Sequence, residues 1–306
     1  MNYYFMESSF ARAEKKRRIY LIIVPVVIII MVISFLLAIN IVDSKNHRKF
    51  VRELEAKRLS LEVSEQEKVK ELERIEAEKK KIPPVPVLTD LGRQNMSSIY
   101  NSEEKIAYLT FDDGPSRGIT EHILNVLKEH DIKATFFVLG SRADIYPDLI
   151  KREYEEGHYI ANHGYSHVYK DIYANPYAVL DEYIRTENSI KTSLGIPEYN
   201  SHLFRFPGGS TGGTYKNIKN DAKNILKENN VEYVDWNCLT EDGNYREPTK
   251  EQLIEGLLTT SENKGNLVVL MHDSPSKQIT ADTLPDVINI LKEKGYEFRN
   301  FYDVIK

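Results

Sequence analysis

Two adjacent carboxylates, Asp112 and Asp113, stand where the apolar run ending in Leu109-Thr110-Phe111 breaks into Gly114-Pro115. At a strand's C-terminal end such a pair can divide its labour, one carboxylate holding a metal ion while its neighbour stays free as a general base. The same string is also ordinary turn chemistry, in which the Asp pair would only satisfy backbone amides. Further on, Asn162-His163-Gly164-Tyr165-Ser166-His167 sets two imidazoles four positions apart, a spacing that a helical turn projects from one face. Each segment follows its own apolar run, so Asp113, His163 and His167 could meet on one divalent ion. Three protein ligands leave an open position for water, which suits a hydrolytic rather than a structural site.

The elements that must position these groups alternate. Short apolar runs at Ile106 to Phe111, Ala134 to Leu139, His158 to Ala161, Leu203 to Phe206, Val231 to Trp236 and Leu267 to Met271 are separated by helical patterns. The helices are expected over Thr120 to Glu129, Ile145 to Glu156, Pro176 to Thr192, Tyr215 to Glu228, Lys250 to Thr259 and Leu284 to Glu293. Such repetition implies an α/β fold with a mainly parallel sheet and helices outside it. The chemically interesting residues fall just after the strands, where barrel active sites are built. About two hundred residues from Asn95 onward make one large domain.

Five strings occur in a fixed order: Thr110-Phe111-Asp112-Asp113-Gly114-Pro115, the His163-x-x-x-His167 run, Phe204-Arg205-Phe206-Pro207-Gly208-Gly209, Val234-Asp235-Trp236-Asn237 and Leu270-Met271-His272-Asp273. Together they resemble the ordered motifs of the NodB-type polysaccharide deacetylases, carbohydrate esterase family 4, over about Lys105 to Ile305. The resemblance implies a distorted (β/α) barrel, a divalent metal of the Zn²⁺ type with Co²⁺ or another ion as substitute, and removal of acetyl groups from a sugar polymer. By position, Asp112 matches the family's catalytic base and Asp113, His163 and His167 its metal ligands. His272 matches the general acid, with Asp242 as its carboxylate partner and Asp235 as the alternative. Arg205 matches the residue paired with the base. Tyr165, Pro207, Gly208, Gly209, Trp236 and Leu270 are the expected substrate contacts. Tyr165 leads a series with Tyr169, Tyr173 and Tyr177, spaced every four residues, that either stacks on sugars or simply packs.

Three positions depart from the family pattern: Gly164 in place of Ser or Thr, Gly208 and Gly209 in place of Pro-Tyr, and Gly243 where Trp is frequent. None removes a ligand or a catalytic group; they bear on the substrate. The expected substrate is a cell-wall glycan, as peptidoglycan or the linkage sugars of a wall polysaccharide. An O-acetyl esterase using the same site and a catalytically silent glycan-binding protein are the alternatives. A third, a non-haem Fe(II) oxygenase, shares the ligand set, but an adjacent base and a distant acid favour hydrolysis.

The N-terminal part reads differently. Ile19 to Ile39 carries no charge, and at about 1.5 Å per residue it matches a hydrocarbon core of about 30 Å. Lys15, Lys16, Arg17 and Arg18 precede it, favouring a cytoplasmic N-terminus. The expected organisation is therefore a cytoplasmic tail over 1–18, a single-pass anchor over 19–41, a charged helical stalk with a Pro-rich linker over 43–94, and an extracellular catalytic domain over 95–306. Weak self-association through the stalk is compatible with its sparse apolar residues. A single cysteine, Cys238, excludes an internal disulfide, and the net charge of −5 gives no footing for nucleic acid.

Overall fold

The computed structural model describes residues 20, 23–32, 44–79, 83–244 and 247–306. The chain divides into two units, Met1–Arg74 and Ile75–Lys306.

In the larger unit, β1 (Ile106–Asp112) is buried at every position, as expected of a strand covered on both faces of a parallel sheet. Around it run β2 (Thr135–Val138), β3 (Tyr159–Asn162), β4 (Leu203–Phe204), β5 (Glu232–Tyr233), β6 (Cys238–Leu239), β7 (Leu267–His272) and β8 (Glu297–Phe298). The order is β5-β4-β3-β2-β1-β7-β6, with β8 also paired to β1, and the ladders are all parallel. β5 and β6 end the two sides with no ladder joining them among the described residues. The result is a curled, open (β/α) half-barrel.

Alternate side chains of the strands feed two cores. Leu109, Phe111, Phe136, Val138, Val269 and Met271 pack beneath Ile123, Leu124 and Leu127 of helix Ile119–Glu129 and Leu284, Val287 and Ile288 of helix Gln278–Glu293. Tyr108, Phe137, Tyr159, Ala161 and Val268 face the other way, with Phe301 among them. Register fixes the chemistry: Asp112 lies opposite His272 on β7 and Phe137 on β2, while Asn162 lies opposite Val138 and Phe204. The residues that follow these positions therefore emerge along one C-terminal edge of the sheet.

Helix Gln278–Glu293 starts before the expected Leu284 and carries Pro285 in its interior. Buried Ala281, Leu284, Val287 and Leu291 hold the helix through the proline. At the N-terminal side, the boundary drawn at residue 95 falls inside helix Asp90–Ser98. That helix is docked: Thr89 N–H donates to Ile305 O at 3.1 Å, and a Cβ on Gly92 would lie 2.2 Å from the same carbonyl oxygen. Tyr154 also donates to Pro83 O at 2.6 Å.

The smaller unit corrects the anchored reading. Among the described residues no helix is long and apolar enough to cross a membrane, so the single-pass membrane localisation expected from 19–41 does not stand. Of that segment only Tyr20 and the helical stretch 23–32 are described; the rest of it, and the tail over 1–18, lie outside the described residues. The charged helix Ser44–Lys79 is present. Phe50, Leu59, Leu61, Val63, Val69 and Leu72 are exposed along it, and among the described residues nothing supports the self-association expected through it.

Candidate active site

The cluster grows out of four strand ends. Asp112 closes β1 and is buried, and Asp113 follows it with φ of 75°, which swings its side chain out of the strand's alternation. His163 follows β3, Arg205 follows β4, and His272 closes β7.

Asp113, His163 and His167 each bring one ligand atom to a common point, all three within 4.8 Å of one another. Asp113 Oδ1 lies 3.2 Å from His167 Nε2 and 3.5 Å from His163 Nε2. The two histidines do not share a helical turn, contrary to the reading of their spacing. They sit on a loop between β3 and helix Tyr169–Ile172, bent by Gly164 at φ 81° and His167 at φ 54°. Convergence comes from that bend.

The donor set fits a divalent cation. His163 Nδ1 lies 2.8 Å from the carbonyl of Arg205; a carbonyl only accepts, so Nδ1 carries the proton and Nε2 keeps a lone pair, the arrangement typical of metal-ligating histidines. Burial pushes the His163 imidazole down to about 3, keeping it neutral. Asp113 Oδ1 is buried without a hydrogen-bond partner, a costly vacancy for a carboxylate unless a cation meets it.

Asp112 is held from behind. Arg205, fully buried, donates from Nη1 to Asp112 Oδ1 at 2.8 Å and to Thr110 Oγ1 at 2.7 Å. Its Nε and Nη2 reach the carbonyls of Val234 and Asp235 at 3.3 and 3.1 Å, and Phe137 lies under the guanidinium at 3.9 Å. Burial raises the Asp112 carboxyl above its usual range, and Arg205 works against that rise. Asp112 Oδ2 lies 3.7 Å from His163 Nε2, beside the three ligand atoms.

On the other flank, His272 Nδ1 donates to Asp242 Oδ1 at 2.8 Å, and the His272 backbone N–H reaches Asp242 Oδ2 at 2.9 Å. Thr280 Oγ1 donates to the same Oδ2 at 2.9 Å. Burial disfavours the imidazolium, but the Asp242 carboxylate, with Asp112 and Asp113 beyond it, pushes His272 up to about 9. Asp242 shifts the opposite way: burial would raise it, yet His272 and Lys277 bring it below its ordinary value. Asp235, the alternative partner, is engaged elsewhere, accepting from Ser210 N–H at 2.8 Å and Ser210 Oγ at 2.6 Å.

The expected substrate contacts divide. Tyr165 has Arg185 over its ring at 3.8 Å and donates to Asp144 at 2.9 Å, so one face is already covered. Tyr173 is buried, donating to Pro207 O at 2.7 Å. Tyr169 is the exposed ring beside the ligands, 5.6 Å from His167. A Cβ on Gly208 would meet the Tyr169 hydroxyl at 2.7 Å, and one on Gly209 would meet Trp236 at 3.3 Å. The glycines thus admit neighbouring aromatics where a side chain would stand. Pro207 and Leu270 are buried, and Trp236 is half-buried against the second core. At Gly243 a Cβ would approach His272 Cε1 to 3.0 Å.

Two buried carboxylates beside the site had no role assigned from the sequence. Glu182 accepts from Tyr165 N–H at 2.6 Å and Ser166 N–H at 2.7 Å, pinning the loop between the histidines; Asn162 Oδ1 adds a bond to Gly164 N–H at 2.9 Å. Nothing in the spacing marks Glu182, because it arrives from the next helix, Pro176–Leu194. Asp273 accepts from Thr120 Oγ1 at 2.6 Å, and burial pushes it up to about 7.

Residues 100–234 match the polysaccharide deacetylase family. A peptidoglycan-N-acetylglucosamine deacetylase of Bacillus cereus is 34% identical over 222 residues, which cover 70% of this chain and 76% of that protein. The fold matches the catalytic domain of a peptidoglycan N-acetylglucosamine deacetylase from Eubacterium rectale with a TM-score of 0.59 at 32% identity, covering 64% of this chain and 88% of that one. It matches a Streptococcus mutans CE4 esterase with a TM-score of 0.61 at 30% identity, covering 71% and 92%. The open parallel half-barrel with its Asp-His-His cluster is thus that of a carbohydrate deacetylase enzyme. The chain belongs to the polysaccharide deacetylase family.

Proposed function

We propose that this protein removes N-acetyl groups from N-acetylglucosamine residues of a cell-wall glycan, releasing acetate and leaving a free amine. The observation that carries this reading is the meeting, at one sheet edge, of a buried Arg-paired carboxylate, an Asp-His-His ligand set and a carboxylate-backed histidine. Asp113, His163 and His167 would hold a divalent cation such as Zn²⁺, which would supply Lewis acidity toward the acetamide.

The protein's own groups move the protons. Asp112, aimed by Arg205 through Oδ1, takes a proton from the attacking water as the oxygen–carbon bond forms. His272, protonated because Asp242 sits against Nδ1, gives a proton to the sugar nitrogen as the carbon–nitrogen bond breaks. The products are the amine and acetic acid, which ionises to acetate; the proton on Asp112 leaves to solvent and His272 takes one back from it.

The test is release of acetate and primary amine from peptidoglycan by the purified protein. Both are expected, are lost after chelation and return with Zn²⁺ or Co²⁺; no amine from any cell-wall glycan would refute the proposal. The likeness to a CE4 esterase favours O-acetyl ester hydrolysis as a second reading, since esters and amides share a tetrahedral intermediate. Acetate without amine would select it.

Glu182 supports the ligand loop, so Glu182→Ala is expected to weaken metal binding by about 10- to 100-fold, the usual scale for groups that orient ligands. Glu182→Gln, which keeps an acceptor oxygen, should recover much of it. Titration of the metal-free protein reads both, and unchanged affinity in Glu182→Ala would mean that the loop holds itself.

A further inference from the structure

We infer that Tyr169 is a further catalytic residue, its hydroxyl donating a hydrogen bond to the acetyl oxygen of the substrate as that oxygen gains charge. The inference rests on the deacetylase reading above and adds a side-chain donor to it.

The neighbours of the ring show where the hydroxyl points. Its centroid lies 5.6 Å from the His167 imidazole and 5.8 Å from the Tyr173 ring. Its far end comes down on Gly208: the heavy atoms nearest to a Cβ built there are the Tyr169 hydroxyl oxygen, Cζ and Cε2, at 2.7, 3.2 and 3.3 Å. The side chain therefore runs from one ligand histidine to the turn that orients the other, since Arg205 O in that turn accepts from His163 Nδ1 at 2.8 Å.

The turn itself is tied down. Phe206 O accepts from Gly209 N–H at 2.8 Å, Pro207 O from the buried Tyr173 hydroxyl at 2.7 Å, and Gly209 O from buried Lys219 Nζ at 2.7 Å. The hydroxyls of Tyr159, Tyr173, Tyr183 and Tyr199 are likewise spent on protein acceptors. Tyr169 differs. Among the described residues its hydroxyl has no hydrogen-bond partner, and neither has the Gly208 N–H beside it. At 40% exposure water can satisfy the hydroxyl until substrate displaces it.

The chemistry selects the acetyl oxygen as its partner. That oxygen is the substrate atom drawn to the Asp113-His163-His167 cluster, and the hydroxyl stands at the rim of the cluster. Burial and the Asp113 carboxylate both raise the Tyr169 phenol, so it meets the substrate protonated, as a donor. When water adds to the carbonyl carbon the acetyl oxygen takes up the displaced electron pair, and it returns that pair when the carbon–nitrogen bond breaks. A fixed donor at that oxygen is worth more in the transition state than in the bound substrate.

Tyr169→Phe removes the hydroxyl and keeps the ring. Its kcat is expected to fall by about 10- to 100-fold, the scale of one hydrogen bond to a charged group, with KM little changed. The loss should be similar on an N-acetylglucosamine oligosaccharide and on an aryl acetate, because both present an acetyl carbonyl and only one presents a sugar. A phosphonamidate analogue of the oligosaccharide, with a tetrahedral phosphorus and a charged oxygen in place of the acetyl group, should bind more weakly by the same factor. Affinity of the metal-free protein for Zn²⁺ should not move. A native kcat in Tyr169→Phe, a rise in KM alone, or a loss confined to the oligosaccharide overturns the inference, the last by placing the hydroxyl on the sugar. Weakened Zn²⁺ affinity also overturns it, by making Tyr169 a support for His167. A native protein that hydrolyses neither substrate fails the deacetylase reading and this inference with it, whereas a native protein active on both and matched by Tyr169→Phe fails the inference alone.

Discussion

An Asp112→Asn protein should lose about 10²- to 10⁴-fold in kcat, the scale of a missing general base, while holding as much divalent metal as the native protein. The two readouts separate because the two carboxylates are separated in space. Asp113 Oδ1 lies within 3.5 Å of both ligand imidazoles, whereas Asp112 spends Oδ1 on Arg205 at 2.8 Å. Asparagine keeps an acceptor for Arg205, which is also held by Thr110 and two carbonyls, so the pocket retains its shape and loses only basicity. Metal content is read by mass spectrometry and kcat by amine release. Full activity would show that another group takes the proton. Loss of metal would make Asp112 a ligand, the one geometric competitor, since its Oδ2 stands 3.7 Å from His163 Nε2.

Much of this site was legible because its groups sit at strand ends, and buried parallel strands announce themselves as apolar runs. β1, β2, β3 and β7 are found where those runs occur, and register does the rest by placing Asp112 beside His272. What could not be read was carried by backbone bends and by partners distant in sequence. The imidazoles converge through two left-handed residues, which a four-residue spacing imitates but does not specify. Glu182 gains its meaning only when helix Pro176–Leu194 is folded against the loop. The tyrosine series shows the same limit. Equal spacing puts Tyr165, Tyr169, Tyr173 and Tyr177 on one footing, yet the loop and helix give them different neighbours and leave Tyr169 beside the cluster. At the other end of the chain, an uncharged stretch satisfies a hydropathy rule without any described helix long enough to use it.

Replacing His272 with alanine should cost about 10²- to 10⁴-fold in kcat on an N-acetyl substrate, and the pattern of that loss identifies its role. An amine leaves poorly without a proton, but a phenolate leaves readily. On an aryl acetate, therefore, the deficit should shrink by at least an order of magnitude if His272 is the acid. The pH profile carries the same information with a definite sign. As the proposed acid His272 would work in its protonated form, and it is pushed up to about 9, so activity should hold below that pH and fall as pH rises through it. As the proposed base Asp112 would work ionised, and it is raised by burial, so activity should fall on the acid side as it takes up a proton. Asp242→Asn removes the carboxylate at 2.8 Å that offsets burial. Its alkaline limb should therefore move to lower pH, because burial alone drives an imidazole toward neutrality. An alkaline limb unmoved in Asp242→Asn would assign that limb to a different group, and an aryl acetate deficit as large as the amide deficit would show that His272 serves a step other than departure of the nitrogen.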